Sequence, residues 1–163
     1  DDGSTDDSLS VLRKHFKSEV KVVKHEKNRG FAAAVNTGFR QARGSIICLL
    51  NTDVVPSKNF LRKVVSYFDD KKVFAVGLHE KGSGPATAQF VNGIFDHRGA
   101  KETKSTHISM WASGGSAAFS RSVWWKLHGL DEELFAPFYW EDVDIGYRAW
   151  KRGYKRKDMK EKE

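Results

Sequence analysis

The sequence predicts a layered α/β fold with a mostly parallel sheet, and three observations carry that prediction. Two apolar runs of strand length, "SIICLL" (45–50) and "VFAVGL" (73–78), show no polar alternation, as expected of strands covered on both faces. Stretches of helical periodicity alternate with these runs, which is the pattern of helices flanking a sheet. The chain has 163 residues, 39% of them hydrophobic and 12% aromatic, enough for one domain with a real core.

Thr5 or Ser8 can cap a first helix, with Asp6 and Asp7 near its positive end and Leu9, Leu12 and Phe16 as its apolar face to about Lys17. "VKVVKH" (20–25) reads as a short strand. "GFAAAVNTGFRQARG" (30–44) is an alanine-rich second helix ended by Gly44. Ser57 caps a third helix to about Phe68, with Leu61, Val64, Val65 and Phe68 facing inward. Residues 79–110 are polar and glycine-bearing, with a hairpin expected around Asn92-Gly93 in "FVNGIF". "SRSVWWKLHG" (120–129) is a short helix ended by Gly129. The last helix runs from Glu141 to Arg152 and ends at Gly153, with Val143, Tyr147, Trp150 and Tyr154 as its inward stripe. No internal repeat or linker divides the chain, so residues 1–163 are read as a single domain.

Net charge is +7 and the isoelectric point about 9.5. Part of that charge lies in the closing "KRGYKRKDMKEKE", read as a solvated end. A basic balance favours anionic partners: nucleic acid, a membrane surface or a phosphate-bearing small molecule. Helix-turn-helix, zinc-finger and aromatic RNA-binding signatures are missing, which ranks nucleic acid last. No apolar run approaches the length of a membrane span, and no signal peptide opens the chain. The single cysteine, Cys48, lies in an apolar run and reads as a small buried hydrophobe, which makes a reducing compartment the expectation. The histidines lack metal-ligand spacing and no serine occupies a nucleophile elbow. The acid-rich, loop-like opening and the charged close together suggest a fragment of a longer protein.

Four stretches could carry chemistry. "NTD" (51–53) follows the strand "SIICLL", where open α/β sheets bind ligands. Asp53 there offers a hard oxygen to Mg²⁺ or Mn²⁺, and the cation in turn can clamp a diphosphate. The same triplet before Pro56 is also a good turn. "DDGS" (1–4) places Asp1 where a carboxylate can bond a nucleobase or ribose, or is simply a turn with an acidic helix start. "KNRGFAAAVNTG" (27–38) puts Gly30 at a helix start, where backbone N–H groups can approach an anion. Asn28, Arg29 and Asn36 are candidates for a sugar or phosphate, with capping and helix packing the equal alternative. "FYWEDVDIGYR" (138–148) packs Glu141, Asp142 and Asp144 into a helix start. The dipole favours ionised acids there, an apolar surround raises a carboxylate's pKa, and Asp144 can pair with Arg148 four residues on. Of the tryptophans, Trp124 or Trp125 is expected in the core and Trp140 at the site.

In this order the stretches resemble family 2 glycosyltransferases of the GT-A fold, across nearly the whole chain. "DDGSTDDS" is similar to the family's nucleotide-binding acid motif. "NRGFAAAVNTGFRQARGSIICLLNTDVVP" is similar to its central block, with Asn51-Thr52-Asp53 at the metal-binding DxD. "ASGGSAAFSRSVWWKLHGLDEELFAPFYWEDVDIGYRAWKRGY" is similar to its acceptor-side block. The variant it most resembles is the rhamnosyltransferase-like branch, where Asn commonly replaces the first acid. The resemblance implies an inverting transfer from a nucleotide-sugar donor to a glycan or lipid-linked acceptor. Asp1, Asp2, Asn28, Gly30 and Asn51 would then be donor contacts, and Asp53 the ligand of Mn²⁺ or Mg²⁺. Asp142 would be the general base, with Glu141 orienting it, and Gly114, Gly115, Trp140 and Arg148 would lie on the acceptor side. It further implies a cytoplasmic setting compatible with peripheral association at the inner membrane face, and leaves the oligomeric state open.

The family's usual first strands, and the region after the last helix, have no counterpart here, so an incomplete catalytic domain with little or no turnover is expected. Two other readings stand beside this one. A nucleotidyltransferase would share the layout and metal, and a non-catalytic sugar- or protein-binding module would share the fold alone.

Overall fold

The computed structural model describes residues 1–78, 84–101, 106–137 and 139–159, which form two compact units. The first comprises Asp1–Ala42 and Leu130–Glu141. Its helices are α1 (Ser8–Phe16) and α2 (Phe31–Gln41). Helix α1 buries none of its residues, so the apolar face expected of Leu9, Leu12 and Phe16 is not a core face within this unit. Helix α2 buries Ala32, Ala33, Val35, Asn36 and Phe39, one stripe at helical spacing. It ends at Gln41 with Ala42 already extended, three residues short of the expected Gly44.

Residues 20–25 form no strand. They run beside Asp1 through two backbone bonds: its α-amino group donates to the Val23 carbonyl at 2.9 Å, and the His25 N–H donates to the Asp1 carbonyl at 2.9 Å. The segment 130–141 is tied to α2 by Asn36. Its Nδ2 donates to the Leu130 carbonyl at 2.8 Å, and its Oδ1 accepts the Leu130 N–H at 3.1 Å.

The second unit comprises Arg43–Gly129 and Asp142–Glu163. Its sheet has the order β1-β6-β2-β7-β5, built from β1 (Ile46–Leu50), β2 (Val73–Gly77), β5 (His107–Ile108), β6 (Ser116–Ser120) and β7 (Lys155–Asp158). A separate hairpin joins β3 (Ala86–Val91) to β4 (Ile94–Gly99) through the expected Asn92-Gly93 turn, whose residues have φ of 51° and 79°. The α/β class holds, but the sheet is mixed. β1, β2 and β7 run the same way, while β6 is inserted antiparallel between β1 and β2, so the parallel pair is β2 with β7. The alternation of helix and strand predicted the shared direction of β1 and β2; it contains no trace of a later strand entering between them.

The closing residues expected to be solvated supply β7. Arg156, 2% exposed, donates from Nε to the Ser109 carbonyl at 3.1 Å and from Nη1 to the Gly146 carbonyl at 2.5 Å. Burial pulls its pKa down to about 10. β2 is buried along its whole length, whereas β1, expected to be covered on both faces, is only half-buried because it is the terminal strand of the order.

One core cluster joins Val64, Phe68, Val73, Val76, Ala118 and Met159, with Cys48 packed against it. Burial pushes the Cys48 thiol pKa up, consistent with a packing role. Phe74, Phe119 and Trp124 form a second nucleus with ring centroids 5.0–6.4 Å apart, making Trp124 the core tryptophan. Helix α3 (Phe60–Val65) continues into a 3₁₀ turn (Ser66–Asp69), and Leu61 and Val65 face outward while Val64 and Phe68 face in. Helix α4 (Arg121–Lys126) ends before Gly129, whose φ is 69°. Helix α5 (Glu141–Lys151) buries Val143, Ile145 and Ala149, while Trp150 of the expected stripe is exposed.

Candidate functional site

The second unit carries a cleft of about 880 Å³ beyond the carboxyl end of β1, lined by Asn51, Asp53, Ser57, Lys63, Ser113 and Gly115 among others. β1 ends at Leu50, and the next residues turn sharply: the Asn51 N–H donates to the Gly115 carbonyl at 2.8 Å, and the Val54 N–H closes onto the Asn51 carbonyl at 3.1 Å. The turn expected of "NTD" is present, and it presents the exposed Asp53 to the cleft. Gly115 and Asn51 approach closely: a Cβ at 115 would lie 2.8 Å from Asn51 Nδ2.

Asp142, in the first turn of α5, is reached from the same glycine pair. The Gly114 N–H donates to its Oδ2 at 3.2 Å, and the Val143 N–H donates to its Oδ1 at 2.7 Å. Burial raises its pKa above the ordinary carboxylate value, outweighing these amide donors and the nearby His97. The competition left open by the sequence, burial against helix start, is thus resolved in favour of burial. His97 on β4 lies edge-on to Trp111, ring centroids 5.4 Å apart. Sequence reading passed over His97, because "DHRG" gives no hint that a hairpin carries it toward α5.

Arg148, expected on the acceptor side, has a structural post. Its Nε donates to Asp144 Oδ2 at 2.8 Å, its Nη2 to the Gly129 carbonyl at 2.9 Å, and its Nη1 to the Leu127 carbonyl. It therefore closes the C-terminal end of α4, and the Asp144–Arg148 pair is half-buried rather than a surface pair.

In the first unit several expected ligand contacts are turned inward. Asp2 accepts His25 Nδ1 at 2.7 Å and the N–H groups of Arg29 and Gly30 at 2.9 and 2.8 Å. Gly30 has φ of 88°, and Asn28 Oδ1 also accepts its N–H at 3.0 Å. The anion at this helix start is the chain's own Asp2, so the Gly30 amide is already engaged. Burial alone would raise the Asp2 pKa, but His25 and the two amides together hold it below the usual value.

Asn36, a candidate for sugar or phosphate, is buried and bonded to Leu130 and to Glu132 Oε1 at 3.0 Å. Glu132, not singled out from sequence, also accepts Arg29 Nη2 and Arg40 Nη2, each at 3.0 Å. Asp1 accepts the Ser4 N–H at 3.3 Å and is exposed. Glu141 is buried, and Trp140 is exposed in a left-handed backbone conformation with φ of 82°. Phe138 and the stretches 79–83 and 102–105, parts of regions expected near the acceptor, lie outside the described residues.

A divalent cation fits what the cleft provides. Among the described residues no group of three His, Cys, Asp or Glu side chains could enclose a metal. Asp53 is a single hard carboxylate at an open cleft, which suits a cation completing its shell with phosphate and water.

Among known proteins, the family model described as Glycosyl transferase family 2 matches residues 1–127. The chondroitin synthase of Escherichia coli is 43% identical over 54 residues, which is 32% of this chain and 8% of that protein. GalNAc-T7, solved with UDP, GalNAc and Mn²⁺, superposes with a TM-score of 0.73 at 19% identity, over 93% of this chain and 33% of that one. The mannosyltransferase PcManGT from Pyrobaculum calidifontis, solved with GDP-Man and Mn²⁺, gives 0.68 at 22%, over 96% and 43%. These likenesses establish the GT-A fold, and the chain spans less than half of each of these proteins.

Proposed function

The chain belongs to glycosyl transferase family 2, and from that membership we propose that it takes part in transfer of a sugar from a nucleotide-diphosphate donor to an acceptor hydroxyl, with inversion at the anomeric carbon. The observation that supports this best is the Gly114-Gly115 pair. One of its glycines bonds Asp142 and the other bonds the Asn51–Asp53 turn, so a half-buried base and an exposed acid share one support.

In this reading Asp142 takes the acceptor's hydroxyl proton as the acceptor oxygen bonds to the anomeric carbon and the bond to the β-phosphate oxygen breaks. Its carboxylate accepts one amide on each oxygen and keeps further lone pairs for that proton. The raised pKa makes it a stronger base than an exposed aspartate. Asp53 would hold Mn²⁺ or Mg²⁺, which when bound neutralises charge on the departing diphosphate. Asn51 orients the donor through its turn. Asp1, Asn28 and Gly30 serve the nucleotide side through the backbone that Asp2 shapes, and Glu141 and Trp140 serve the acceptor, a glycan or lipid-linked saccharide.

The test is a thermal-shift panel of UDP, GDP, dTDP and CDP, each with and without Mn²⁺, followed by assay of the matching nucleotide sugars for nucleoside diphosphate release. A metal-dependent rise with one nucleotide supports the reading and identifies the donor class. Release of pyrophosphate from a nucleoside triphosphate would replace it with nucleotidyl transfer.

A further inference from the structure

The β3–β4 hairpin ends in a cluster of apolar side chains that the fold leaves in solvent. Phe90 is 63% exposed and Ile94 69%, and Val91 is exposed beside them. Phe90 pairs with Phe95 and Val91 with Ile94, and consecutive residues of a strand point to opposite faces. The tip is therefore apolar on both faces, around the Asn92-Gly93 turn. On one face it meets α5: Tyr147 lies edge-on to Phe90 and to Phe95, 6.4 Å from each, and Trp150, 57% exposed, follows 6.1 Å from Tyr147. Cations accompany these rings. Lys151 Nζ lies 5.9 Å from the centre of the Tyr147 ring, exposed Arg152 is next in the chain, and Asp96 on β4 is paired with Arg98 at 2.6 Å.

We propose that this hairpin tip, together with Trp150 and Lys151, is a membrane-docking wedge that inserts among the headgroups of anionic phospholipids. Three observations select this occupant. Although Tyr147 meets one face, Phe90 on that face and Ile94 on the other are still 63% and 69% exposed, and a groove or a flat partner would cover one face only, whereas a medium that surrounds the tip covers both. Aromatic rings beside lysine and arginine match an interface that is apolar below and negatively charged above. Phe90, Phe95 and Tyr147 meet one another at 61–73°, edge to face, and Trp150 is tilted at 34° to Tyr147, so the four rings do not form a shared flat platform for stacking a sugar. A second copy would bring like charges together.

The test is co-sedimentation of the chain with phosphatidylcholine vesicles containing or lacking phosphatidylglycerol. Preferential binding to the anionic vesicles is expected, weakened by high salt. Ile94→Ser and Val91→Ser should each lower the partition coefficient about tenfold, and Lys151→Glu should remove the anionic preference. Leu134→Ser, an exposed apolar residue of the first unit, should change nothing. Absence of vesicle binding, or binding that Ile94→Ser and Val91→Ser leave intact, overturns the proposal. So does self-association in sedimentation velocity, or oligosaccharide binding, that Ile94→Ser abolishes. Because the readout is partition rather than turnover, its failure is separate from failure of the transferase reading, which the nucleotide panel tests.

Discussion

Gly114 donates its N–H to Asp142 Oδ2 at 3.2 Å, which holds a carboxylate that burial has made more basic. Because the folded-state pKa of Asp142 lies above its unfolded value, the native state binds the proton more tightly. Stability associated with this group is greatest at low pH and declines as pH rises from the unfolded value through the raised one. Above the raised pKa the ionised carboxylate therefore destabilises the fold. Asp142→Asn should lower kcat/KM by about 100- to 10,000-fold while leaving Tm at pH 7 unchanged or higher, as read by turnover and calorimetry together. A lower Tm with retained turnover would contradict the assignment of Asp142 as base.

Asp53 is exposed at the end of a turn and makes no contribution to the core. Asp53→Ala should therefore leave the Tm of the unliganded chain nearly unchanged, within about 0.5 kcal/mol of stability. It should abolish the Mn²⁺-dependent part of any nucleotide-induced shift, measured by titrating Mn²⁺ at fixed nucleotide.

Two glycines separate support of the site from support of the fold. A Cβ at Gly115 meets the end of the Asn51 side chain at 2.8 Å, which can swing aside. Gly115→Ala should cost about 1 kcal/mol of stability or less, with turnover reduced about 10- to 100-fold by the displaced turn. A Cβ at Gly146 meets the Met110 carbonyl at 2.8 Å and Trp111 Cβ at 2.9 Å, neither of which can give way alone. Gly146→Ala should cost about 2–3 kcal/mol, measured by denaturant unfolding.

Asp2 behaves oppositely to Asp142. Its folded-state pKa is depressed, so its contribution is fully present above the unfolded value near 3.8 and disappears as pH falls through the depressed one. Asp2→Asn should lower Tm at pH 7 and remove part of the acid-induced loss of stability below about pH 4. His25→Gln should weaken the same dependence, because His25 Nδ1 is one of the carboxylate's three partners. Tm profiles of the three proteins from pH 2 to pH 7 (roughly the span in which aspartate titrates) check this.

The sequence by itself determined the α/β class, the apolar runs of β1 and β2, the hairpin at Asn92-Gly93 and the helix starting at Glu141. Each of these is written in local periodicity or in a turn that only certain residues adopt. It also nominated Asp53 and Asp142 as candidates, since their motifs are contiguous. Tertiary structure alone decided what distant residues do to one another. Insertion of β6 between β1 and β2 made the sheet mixed. Pairing of β7 with β2 made part of an apparently solvated tail a half-buried strand anchored by the buried Arg156. Asn36 and Arg148 resembled ligand contacts in sequence, yet the first bonds Leu130 and Glu132 and the second closes α4, because a buried polar group must find partners wherever the fold supplies them. The pKa of Asp142 was likewise decided by packing: a helix start is visible in the sequence, but the desolvation that opposes it depends on which surfaces come to cover the carboxylate.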